Sequence, residues 1–148
     1  MNIFMHIHLF AGIAWIGGSI FMFVLGVTLT DKKKQSEVYP HVGPIFGYFE
    51  LVSLFFLVGT GVLLIYTNGL LEQLLSNENT EVVDYLRKKL FIVALVILAT
   101  IIHFAIALKT NNTQRTKIQN LISRGSSLFI FFANIFILHY AIMIRSIL

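Results

Sequence analysis

Few residues in this chain can do chemistry, and most of them are histidines. His6, His8, His41, His103 and His139 are the five imidazoles, and there is no cysteine. Without thiols there are no disulfides, thiolate zinc sites or iron–sulfur clusters. A metal here must be held by imidazole, thioether, amine or carboxylate. Glu50 and Lys89 stand inside, or at the mouth of, otherwise apolar stretches. An ionisable residue at membrane depth is costly and is usually retained for a function.

The elements that position these residues follow from composition. Of 148 residues, 57% are hydrophobic and 12% charged, about half the charged share of an average soluble domain. Mean hydropathy is +0.82. A soluble fold this small cannot hide so much apolar side chain, so disorder and an ordinary water-facing enzyme are both excluded. A membrane helix needs about 20 apolar residues. Four stretches qualify, at about 3–28, 44–66, 90–108 and 128–144. Short connections between them imply an all-α integral membrane protein, an antiparallel up-down bundle of four transmembrane helices in one domain over 1–148. Pro40 and Pro44 are expected to bracket the start of the second span, Thr80 to cap the third helix, and 70–75 to form a short interfacial turn.

Basic residues set the orientation. The first and third loops carry Lys32, Lys33, Lys34, Lys109, Arg115, Lys117 and Arg124, seven in all. The second loop and C-terminus carry four, Arg87, Lys88, Lys89 and Arg145. Loops one and three are therefore expected inside and both termini outside, in a bacterial inner membrane. The first stretch has no basic leader and no small-residue cleavage site, and reads as a retained helix. A net charge of +4 fits basic loops against anionic lipid, and no nucleic-acid motif appears.

A rise of about 1.5 Å per residue converts position into depth. His8 and His139 fall at similar outer depths, with Lys89 at the outer mouth of the third helix. Met5 precedes His8 by three residues, Met143 follows His139 by four, and Met1 and His6 lie at the same end. His6 and His8, two apart, point to different sides, so only one can face the bundle. Glu50 and His103, with His41, form a second, inner level that reads as a proton relay, a second haem site or a structural pair. On helix one, His8, Gly12, Trp15, Ser19, Met22 and Gly26 define a single face. Its small residues permit close helix packing or leave room for a flat ligand.

The segment 8–18, HLFAGIAWIGG, with Lys89-Leu90 and a following His103 on the third span, resembles the CopD-like copper-resistance membrane proteins. It is similar also to the HemJ-type protoporphyrinogen oxidases, small four-helix membrane proteins associated with haem. Gly59-Thr60-Gly61 at the end of the second span is part of that likeness. The end of helix one differs, since 22–29 reads MFVLGVTL where the HemJ pattern has a proline-arginine segment and a further histidine. The resemblance implies haem b, or copper, and places His8 and Lys89 among functional positions.

Three readings stand. In the first, haem b is held by His8 with His139, or by one of them, and Lys89 pairs with a propionate. Trp15 and Gly12 then line the cofactor, and the protein is an oxidoreductase or electron carrier working with a quinone or porphyrin in the bilayer. In the second, Cu(I) is handled by the outer cluster of His8, His139, His6, Met5 and Met143, with His103 a further candidate. In the third, the chain is a non-catalytic subunit of a partner membrane protein, or a homodimer packed through helix one. Asn134, in mid-span on the fourth helix, reads as polar glue between helices.

Overall fold

A computed structural model describes residues 2–110 and 116–148. Met1 of the outer cluster and Arg115 of the third loop lie outside the described residues. The described residues form five helices: α1 (Ile3–Thr28), α2 (Lys32–Thr67), α3 (Leu70–Leu75), α4 (Glu81–Lys109) and α5 (Lys117–Ile147). All but α3 are long and apolar enough to cross a membrane.

Their outer surface confirms the solvent. Phe10, Ile45, Phe55 and Phe91 are each more than two-thirds exposed. The core is thin by comparison, built on Trp15, Val96, Ala99, Ile130 and Ala133 from α1, α4 and α5. Four long helices that turn most of their large apolar side chains outward, around so small a core, make this an integral membrane protein. α1 packs along α2 and α4 along α5, giving two hairpins, which meet mainly where α1 lies against α5.

Local chemistry explains the ends. Asn2, Asp31, Thr80 and Thr116 each turn a side-chain oxygen onto a free N–H of the following helix, which is the role of an N-cap. Thr116 and Gln119 do so reciprocally, forming a capping box. Gly69, at φ 69°, makes the left-handed turn from α2 into α3. Arg87 then anchors that connection, donating to the carbonyls of Leu74 and Ser76 and to Asn79 Oδ1. Helix ends leave such carbonyls without backbone partners.

Two helix starts differ from expectation: α5 begins at Lys117, ahead of the expected span at 128, and α2 begins ahead of its prolines. Pro40 and Pro44 lie inside α2, which starts back at Lys32. Each proline deletes one backbone hydrogen bond, freeing the carbonyls of Ser36 and Pro40. At the basic end of α2, beyond the apolar span, water can satisfy them, so the helix continues.

Candidate functional site

The outer level centres on His8. Its ring, half-buried on α1, places Nδ1 2.9 Å from Thr60 Oγ1 on α2. The Thr60 hydroxyl spends its own proton on the Phe56 carbonyl one turn back. Thr60 Oγ1 is therefore the acceptor, His8 Nδ1–H is the donor, and Nε2 carries the lone pair. Ligating histidines are commonly held in this way, with the second nitrogen donating to a fixed acceptor. Gly61 makes the approach feasible, because a Cβ there would sit 3.3 Å from His8 Cε1. Lys89 reaches the same corner from α4, close enough for its charge to act on the ring. It is half-buried, and among the described residues no carboxylate pairs with it; the ion pair of that region joins Lys88 to Asp84 at 2.8 Å.

His139 does not come to His8. It is exposed, and its ring leans on Tyr140, with centroids 5.5 Å apart. The inward face of α5 is Ile130, Ala133 and Asn134. At about 100° per residue, His139 is turned well away from that face. Depth matched and azimuth did not, so paired ligation by His8 and His139 is corrected to a single inward imidazole. His6 is also exposed, with Nδ1 against the Asn2 carbonyl. Met5 and Met143 are half-buried. Among the described residues no group of three or more His, Cys, Asp or Glu side chains is arranged to hold a metal ion. A Cβ at Gly12 would meet Leu57 at ordinary contact distance, so the glycine leaves room for little more than a methyl group there.

In mid-span, Trp15 donates from Nε1 to Asn134 Oδ1 at 2.8 Å, joining the two hairpins through their buried core. Because the indole can only donate, the amide orientation is fixed. Asn134 Nδ2 then has no partner.

The inner level brings Glu50 and His103 to one cavity of about 20 Å³, walled also by Ser19 on α1 and Ser127 on α5. That volume accepts one water molecule. Glu50 is 9% exposed. His103 Nδ1 lies 3.2 Å from the Ser123 carbonyl, an acceptor, and 3.3 Å from Ser126 Oγ. His41 is exposed and does not line the cavity.

Three positions that matter here were not singled out as site residues from sequence: Thr60, Ser127 and the spare nitrogen of Asn134. Thr60 could have been found by height, since it sits near the outer end of α2 as His8 does on α1. Comparison with models of protein families, with curated proteins and with solved structures finds no match for this chain.

Proposed function

We propose that the protein is an integral membrane electron-transfer protein that holds a haem b through His8. One observation carries this reading: an imidazole within the membrane whose Nδ1–H is committed to Thr60, leaving the Nε2 lone pair to bind iron. The donor set fits the group, since a neutral imidazole is a good axial ligand and the unpaired Lys89 is suited to a propionate. A bound haem would supply a one-electron couple. The chain's residues supply the rest. Thr60 fixes the ring and tautomer of His8, Gly61 lets the ring lie against α2, and Lys89 places a positive charge beside it. Electrons would pass to or from a carrier dissolved in the bilayer. The excess of basic residues in the first and third loops supports an orientation with both termini outside.

The test is a spectrum. The full chain, expressed with ample haem and purified in detergent, is expected to show a Soret band that sharpens and shifts with dithionite. His8→Ala should lose it, and His139→Ala should keep it. A wild-type protein without haem absorbance, or a His8→Ala variant that retains it, would overturn the proposal.

A further inference from the structure

Glu50 is the only acidic residue within the four apolar stretches, and holding haem at His8 leaves it without a task. Its side chain is nine-tenths buried. Among the described residues no hydrogen bond or ion pair reaches its carboxyl. Yet its oxygens are not sealed away as Asn134 Nδ2 is; they keep accessible surface and open on the inner cavity. Facing Glu50 there are Ser19 and Met22 from α1, His103 from α4, and Ser127 and Ile130 from α5. His103 is the one titratable group among them, and no lysine or arginine is in the wall. An unpaired carboxylate at membrane depth is costly, and a buried ionisable group escapes that cost by pairing or by taking up a proton. Among the described residues the cavity supplies no basic partner and no metal-holding group of acids and histidines. A hard cation also prefers oxygen ligands throughout, whereas an imidazole in the wall suits proton traffic.

Depth says from which side a proton arrives. Six residues separate Glu50 from Pro44, where the second apolar stretch begins, and six separate His103 from Lys109 at the end of α4. Each is a rise of about 9 Å, in a hydrocarbon layer about 30 Å thick. The face of the first and third loops is therefore the nearer water. His103 stands on that route, with Nδ1 3.2 Å from the carbonyl of Ser123, one turn of α5 closer to that face than Ser127. In the other direction the packed core of Trp15, Val96, Ala99, Ile130 and Ala133 begins about one turn away. His8 lies beyond it, about 16 Å from Ser19 along α1. We propose that the inner cavity is a proton-exchange site, in which Glu50 takes a proton from water admitted beside His103 and returns it to the same face. On loading, a carboxylate and a hydronium ion become a carboxyl and a water; release is the reverse. A proton loaded here would offset the charge of an electron arriving at a haem on His8. That purpose rests on the electron-transfer reading above; the proton site does not.

Dicyclohexylcarbodiimide is apolar, enters the bilayer and reacts with carboxyls that carry a proton. The full chain in membrane vesicles is treated with it at neutral pH, and the adduct is located by peptide mass. The expected result is one adduct, on Glu50, lost when the pH is raised and absent from Glu50→Gln. Because the adduct is mapped on the wild type, the result does not depend on that variant folding. Sidedness is read by raising the pH on one face at a time, in vesicles whose exposed face is identified with a maleimide on Lys33→Cys. Labelling should be lost when the alkaline side is the face of Lys33 and kept when it is the other. His8→Ala, which removes the proposed haem ligand, should be labelled as the wild type is, so failure of the haem reading and failure of this one are separable. No adduct on Glu50, labelling that ignores pH, or an equal response from both faces overturns the proposal. So does protection by sodium ions at constant pH, which would make the occupant a metal cation.

Discussion

Replacing Trp15 by Phe removes one N–H and should reveal how much the two hairpins depend on a single polar contact. The donor and acceptor are 2.8 Å apart and both residues are at least nine-tenths buried. After the change, Asn134 has neither acceptor nor donor satisfied. A buried orphan amide costs about 1–3 kcal/mol, but in membranes the unfolded helices find other partners, and measured couplings average about 0.6 and reach about 1.7 kcal/mol. Full burial places this pair near the upper end, so a coupling of about 1–1.5 kcal/mol is expected. The loss of indole volume adds its own penalty, which a double-mutant cycle with Asn134→Leu cancels. The cycle makes an asymmetric prediction. Asn134→Leu should destabilise the wild type, because it orphans the indole N–H, yet it should rescue the Trp15→Phe protein by removing the orphaned amide. Equilibrium unfolding in mixed micelles with increasing dodecyl sulfate, followed by circular dichroism, reads all four corners. If Asn134→Leu costs the same in both backgrounds, the contact carries no coupling energy and the argument fails.

Other consequences can be measured in the same preparations. Gly61→Ala places a methyl 3.3 Å from His8 Cε1 and should displace the ring, so haem retention and the reduced spectrum should change, whereas Gly59→Ala, with open space around it, should leave both intact. Gly18→Ala brings a Cβ to 2.9 Å of Phe46 Cε2 and should cost about 1–3 kcal/mol in unfolding; Gly17→Ala meets nothing within 4 Å and should be neutral or stabilising by up to about 1 kcal/mol. Thr116→Ala removes the capping box of α5 and should lower stability by about 1 kcal/mol. Because the chain has no cysteine, Glu78→Cys and Lys33→Cys give clean topology probes: an impermeant maleimide should label the first in intact cells and the second only after permeabilisation, and the reverse pattern would invert the orientation.

The helices were legible because their causes are local. Apolar length marks each span, and Thr80 marks the start of α4; the caps Asn2, Asp31 and Thr116 emerge only in the structure. Height was legible too, since rise per residue is nearly constant, and Glu50 and His103 do reach one cavity. Rotation about the helix axis was not. Rotation needs a mark on the inward face: on α5 the stripe Ser123, Ser127 and Asn134 supplies it, and it turns His139, five residues beyond Asn134, about 140° away, which height alone conceals. The same applies to Thr60, an ordinary threonine in the sequence that acquires a role only because Gly61 lets His8 come close. The length of α2 was missed for another reason: proline is read as a boundary, yet near water a helix can lose two backbone bonds and go on.

The division into two hairpins has a consequence for how such a protein could be made and divided. α1–α2 and α4–α5 each bury their main partner within a short stretch of chain, so each is a self-contained insertion unit. The connection between them, around Ser76–Asn79, carries no core residue. A gene cut there should yield two half-proteins that insert separately and find each other in the bilayer. Their recognition would depend on the seam, where Trp15 meets Asn134 and Glu50 faces His103, while His8 and Thr60 travel together in the first half and await Lys89 from the second. Reconstitution from halves would thus be scored by recovery of the Trp15–Asn134 contact, read from the fluorescence of Trp15.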